Sequence, residues 1–146
     1  MGNNDQNIVQ ERREFFRIKF ESPVRFKNYS AIKNKPRSGE TLLKGTSQNI
    51  SQSGILFQTE VTPPQLSSIL WMNLDIRTLK ICQEIEKRAI VLNNGLLGRV
   101  VRVEEDIKNK KIYEVGVCFL TQDQKSSREV QSILSTIAQD TTNINK

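Results

Sequence analysis

Hydrophobic and polar positions alternate over most of this chain, and the period becomes helical only near its end. After Pro23, Val24 and Phe26 fall two apart, so a first strand is expected within residues 18–27. Residues 41–51, TLLKGTSQNIS, read as a less regular strand. GILFQTEV, from Gly54, reads as a clear one that Pro63 and Pro64 end. In ILWMNLDI, residues 69–76, Leu70, Met72, Leu74 and Ile76 share one face, while Trp71, Asn73 and Asp75 share the other. Residues 81–92 admit two readings. Ile81, Ile85, Ala89 and Leu92 suit a helix face, whereas RAIVL suits a strand. Asn93-Asn94-Gly95 follows as a turn signal, with Asn-Gly a favoured hairpin pair. LLGRVVRVEE (96–105) and YEVGVCFL (113–120) then flank the polar DIKNKK and are expected to form a hairpin, with Val115, Val117 and Phe119 on one face.

From Ser126 the spacing changes. Val130, Ile133, Leu134, Ile137 and Ala138 recur at i, i+3, i+4, i+7 and i+8, the stripe of an amphipathic helix over about 126–139. Ser126 and Glu129 suggest a capping box at its start. Residues 1–10 are rich in Asn and Gln and read as a flexible tail, and 141–146 as a frayed end. Residues 30–40, with Pro36 and Gly39, read as a loop. Several short strands followed by one helix predict a mainly β protein. The expected form is a small antiparallel barrel with a C-terminal amphipathic helix, as one domain over 11–140.

Composition narrows the function classes. The chain has 146 residues, 36% hydrophobic and 26% charged, which suits one soluble globular domain. No apolar run reaches the ~18 residues of a membrane span. The opening MGNNDQNIVQERR lacks the basic leader and apolar core of a secretory signal, and Gln6 breaks the myristoylation pattern. A cytoplasmic protein is expected. There is no histidine, so a histidine-based triad is excluded. With only Cys82 and Cys118 besides carboxylates, no zinc site is expected. Both cysteines read as small buried hydrophobes. No nucleophile stands beside an evident base, so no catalytic residue is assigned and the chain is not read as an enzyme.

The net charge of +6 is concentrated in one place. Residues 11–37 carry nine Lys or Arg against three Glu, and the rest of the chain is balanced. Such a patch attracts phosphate or other anionic surfaces. Within it, RREFFR (12–17) sets Arg12, Arg13 and Arg17 around Phe15 and Phe16. The phenylalanines read as an anchor to the barrel, with base stacking as the alternative. Lys33, Lys35 and Arg37 read as a solvated loop that can steer an anion. Trp71 reads as packing under a loop or helix.

A second stretch, NISQSG (49–54), lies between two expected strands. Asn49 offers an amide and Ser51 a hydroxyl, and two positions apart on extended chain they face the same way. Gly54 permits a turn or a close approach. Alone, this stretch also fits an ordinary turn between strands.

Taken together, Arg13-x-x-x-Arg17 and Asn49-x-Ser51-x-x-Gly54, with GRVVRV (98–103) and YEVGVCFL (113–120) behind them, resemble the PilZ domain, a bacterial receptor for cyclic di-GMP. The resemblance covers roughly residues 11–120. It departs from the family pattern in a long loop at 30–40 and an indistinct segment at 77–95. It implies a six-stranded barrel and no cofactor other than the ligand, cyclic di-GMP. It implies that Arg13 and Arg17 contact a guanine edge and phosphate, for which the planar guanidinium fork is suited. By the same resemblance Asn49 and Ser51 bind the other guanine and its backbone, with Gly54 keeping the strand close. Arg12 stacks on a further guanine, as when the nucleotide binds as an intercalated dimer. Arg99 and Arg102 are secondary candidates. Strict alternation sets them on different faces, so at most one lines the site unless the strand bulges. With no output domain in the sequence, the response is expected to pass to a protein partner through ordering of the arginine segment. Two other readings stand beside this one: a basic barrel binding single-stranded nucleic acid, which the aromatic content of 6% disfavours, and a PilZ adaptor that binds no ligand.

Overall fold

The structure, a computed structural model, describes residues 17–29 and 42–144, with side chains through Asp140. The elements in chain order are β1 (Ile18–Lys19), β2 (Pro23–Asn28), β3 (Leu43–Ile50), β4 (Gly54–Thr59), β5 (Ile69–Asn73), α1 (Cys82–Arg88), β6 (Val91–Leu92), β7 (Gly95–Glu105), β8 (Tyr113–Phe119) and α2 (Arg128–Ile144). A single 3-10 turn, Gln122–Gln124, precedes α2. The strands run antiparallel in the order β3-β2-β5-β7-β8-β4, and β4 pairs back onto β3, which closes a six-stranded barrel. Closure removes the exposed sheet edges that an open sheet of this size would carry. β1 and β6 are short additions on β3 and β7.

Alternation accounts for the interior. Val24 and Phe26, Ile55 and Phe57, Leu70 and Met72, and Val115 and Val117 all point into one buried cluster. Phe26 and Phe57 meet inside it with ring centroids 4.9 Å apart and planes tilted by 46°. Each is fully buried, and such burial contributes about 1.5–3 kcal/mol per side chain. The ambiguous segment 81–92 resolves into both readings in succession. α1 places Ile85 in the barrel cluster, Ala89 follows as an isolated bridge to Thr121, and β6 begins at Val91.

A second cluster lies outside the barrel. Val130, Ile133 and Ile137 of α2 cover Ile69, Leu97 and Leu120, with Leu134 half-buried beside them. β5 and the start of β7 are therefore buried on both faces: Leu70 and Met72 share the barrel face as expected, while Ile69 and Leu97 lie under α2 with Trp71 beside them. Trp71 packs in this cluster and donates from Nε1 to the Leu92 carbonyl at 2.9 Å, so the packing reading holds. The helix is pinned near its end by Asp140, which is buried. Its Oδ2 accepts from the Tyr29 hydroxyl at 2.7 Å and pairs with Lys27 Nζ at 3.2 Å. Burial, reinforced by the carboxylate, pushes the Tyr29 phenol above its ordinary range.

Several local expectations are corrected. The hairpin turn is Asn93-Asn94, both at positive φ (54° and 62°) as a type I′ turn requires, while Gly95 already pairs with Leu92. The capping serine of α2 is Ser127, whose Oγ accepts from Val130 N–H at 3.1 Å; Glu129 is drawn instead to Arg99. Ala138 is exposed rather than part of the buried stripe, and α2 continues past 140 to Ile144. Cys118 is exposed and Cys82 only half-buried, so neither is the fully buried hydrophobe expected. Arg12, Arg13, Phe15, Phe16 and the loop with Lys33, Lys35 and Arg37 lie outside the described residues.

Candidate functional site

One small device brings the two motifs together. β1 and β2 lie along the same edge of β3, β1 opposite Asn49 and Ile50 and β2 opposite Leu43–Thr46. Buried Ser47 splices them. Its Oγ accepts from Ser22 N–H at 3.0 Å and donates to the Phe20 carbonyl, while its own N–H donates to the Ser22 carbonyl at 2.8 Å. A register shift in β3 between Ser47 and Asn49 accompanies the splice. The result carries Arg17, at the head of β1, to the far end of β3. There it lines a concavity of about 320 Å3 together with Asn49, Ser51 and Gly54.

The floor of this concavity is set by strand register. Asn49 pairs with Leu56, Leu56 with Gly116, and Gly116 with Arg102. These four residues form one outward-facing row across β3, β4, β8 and β7. Three strand spacings separate its ends, roughly 14 Å. Leu56 and Gly116 give an apolar, low floor between two polar ends. A Cβ on Gly116 would come within 3.2 Å of Arg102 Cβ, so the Arg102 stem lies directly over this glycine.

Ser51 is nearly buried. Its N–H donates to the Gly54 carbonyl at 2.8 Å, and its hydroxyl accepts from Ser53 N–H at 3.2 Å, so NISQSG is a tight, internally bonded turn. Gly54 has a structural reason of its own. A Cβ there would collide with the Val117 carbonyl of β8, so the glycine permits the close approach of two strands.

The two later arginines part company. β7 bulges between Val100 and Arg102, which leaves Val101 exposed and turns both Arg99 and Arg102 outward. Arg99 is engaged elsewhere, donating to the Ser67 carbonyl at 2.9 Å and to Glu129 of α2 at 2.8 Å. Arg102 alone of the two lines the concavity, and it pairs with Glu104 at 2.6 Å. That pairing holds the Glu104 carboxyl below the usual range.

Sequence reasoning missed Ser53, Leu56, Gly116 and Cys118 as lining residues. Ser53 lies within the NISQSG motif itself; the other three are set by register, which no periodicity in the sequence specifies. Larger concavities of about 540 and 440 Å3 lie elsewhere, but neither contains a residue of the two motifs.

The sequence model of the PilZ domain matches residues 11–135. The chain belongs to the PilZ domain family. PilZ domains are ligand-binding and adaptor domains associated with cyclic di-GMP, not enzymes. Among solved structures, the chain is similar to the Bacillus subtilis inhibitor of motility MotI/DgrA, with a TM-score of 0.50 and 15% identity, over 92% of this chain and 52% of that one. It thus spans about half the length of that protein, and at this identity the likeness concerns the fold. A search of curated proteins finds no match. Among the described residues, no helix is long and apolar enough to cross a membrane, and no three His, Cys, Asp or Glu side chains gather as a metal site.

Proposed function

We propose that this PilZ domain is a cyclic di-GMP receptor that passes its signal to a protein partner. The observation that carries the reading is the meeting of Arg17 with Asn49, Ser51 and Gly54, some thirty residues apart in sequence, in one concavity. Cyclic di-GMP has two guanines and two phosphodiester anions on a closed ring. Arg17, with Arg13, grips a guanine edge and phosphate through charge-assisted, two-point hydrogen bonds. Asn49 and Ser51 take the other guanine and its backbone. Arg12 stacks on a guanine of a second nucleotide, so that two ligands bind as an intercalated dimer. Ordering of the arginine segment over the ligand alters the surface offered to a cytoplasmic partner.

Calorimetric titration of the folded, ligand-free chain with cyclic di-GMP tests this. The expected result is saturable heat with two nucleotides per chain, lost on Arg17→Ala and on Arg13→Ala. An absence of heat at tens of micromolar protein contradicts it. Preferential binding of oligonucleotides with a steep salt slope would support the nucleic-acid reading instead.

A further inference from the structure

Arg102 ends one row of the barrel and pairs into another of opposite character. The first is the row that floors the site, Asn49–Leu56–Gly116–Arg102. The second is an acidic row, in which Gln58 pairs with Glu114 and Glu114 with Glu104. Like charges directly opposite each other across two strands repel. Two contacts relieve the repulsion here. Gln58 Nε2 donates to Glu114 at 3.3 Å, and Arg102 Nη2 donates to Glu104 at 2.6 Å. The guanidinium is therefore drawn along its own strand toward the acids, while its stem still lies over Gly116 at the site floor.

We propose that Glu104 is a positioning residue that holds the Arg102 guanidinium away from the ligand and competes with ligand phosphate for it. The inference rests on the anionic-ligand reading of the site. Arg102 turns from the Glu104 carboxylate to a phosphodiester when ligand arrives, and the acidic row is left with its charges less compensated. Glu104 thereby sets the affinity threshold without touching the ligand. Both partners are about half exposed, at 46% and 53%, so the ion pair is a weak restraint that a doubly charged ligand can displace.

A double-mutant cycle in the full chain tests this, with affinity for cyclic di-GMP read by calorimetry and folding by thermal melting. Removing an exposed ion pair of this kind changes an equilibrium by about two- to fivefold. Glu104→Gln is expected to tighten binding by that factor with the melting temperature nearly unchanged, and Arg102→Ala to weaken it. The tightening by Glu104→Gln should vanish when Arg102 is already alanine, because the glutamate acts only through that guanidinium. Equal tightening in both backgrounds would mean that Glu104 merely repels the anion, and would overturn the proposal. So would unchanged affinity of Glu104→Gln in a chain that otherwise binds. No binding by the unsubstituted chain would overturn the receptor reading, and this inference with it.

Discussion

Asn49 and Arg102 stand at opposite ends of one outward-facing row of the barrel, with only Leu56 and Gly116 between them. They are more than fifty residues apart in sequence, and β-sheet register alone aligns them. The pair sets the span of the site, and the low floor between them leaves room for a ligand to lie flat. Gly116→Val should therefore fill the floor and displace the Arg102 stem, since even a Cβ there is tight against it. The expected outcome is a folded barrel with affinity for cyclic di-GMP reduced by about tenfold or more, equivalent to ~1.4 kcal/mol, measured by calorimetry beside circular dichroism.

Gly54 should behave differently although it belongs to the same site. Its substitution by alanine drives a methyl group into the Val117 carbonyl, so β4 and β8 must separate. Gly54→Ala should lose about 1–3 kcal/mol of stability in denaturant unfolding. A variant of unchanged stability that lost only binding would contradict the close-approach role.

Ser47 is buried in β3 two residues from Asn49 and does not line the concavity. Ser47→Ala would leave the Phe20 carbonyl and the Ser22 N–H without their side-chain partner. An expected loss of about 1–3 kcal/mol follows from two part-buried groups left without that hydrogen bond. Affinity should fall as well, because the splice is what carries Arg17 to Asn49. Chemical denaturation and calorimetry on the same variant separate the two effects.

The pin between α2 and the barrel predicts an alkaline weakness. The Tyr29 phenol titrates above its ordinary value of 10.0 in the folded protein, through burial and the neighbouring Asp140. A folded-state value raised above the unfolded one means the stabilisation is full below pH 10 and is lost as pH rises toward the folded value. Thermal melts from pH 8 upward should show a decline beginning near pH 10. Tyr29→Phe should remove that component of the decline.

Cys118 offers a probe of the site. It is exposed on the concavity, whereas Cys82 is half-buried and its thiol is pushed up by burial and by Glu86. Cys118 should react with a thiol reagent before Cys82, and cyclic di-GMP should slow it. Mass spectrometry of partially labelled protein reads both.

The fold was legible where one face of an element is buried and the other is wet. Val24 and Phe26, Val115 and Val117, and the stripe Val130, Ile133 and Ile137 follow that rule, and the barrel with its terminal helix follows from them. Leu70 and Met72 of β5 follow it too; legibility fails for the opposite face, because nothing in the strand pattern shows that α2 covers Ile69 and Leu97. It fails again at 81–92, where one short segment is helix and then strand. Of the site, Asn49, Ser51, Gly54 and Arg17 were visible as spaced motifs. The choice of Arg102 over Arg99 was not, because it depends on the bulge at Val101 and on Glu129 of α2. Leu56, Gly116 and Cys118 are set by register, a property of paired strands and not of any one of them.

The most direct test of the receptor reading is amide mapping by nuclear magnetic resonance, with cyclic di-GMP titrated into uniformly labelled chain. Shifts concentrated on Arg17, Asn49–Gly54, Gly116 and Arg102, with the region of Arg25 and Lys44 unmoved, are the predicted result. Saturating ligand that moves no amide, or that moves only amides remote from Asn49 and Ser51, would contradict it.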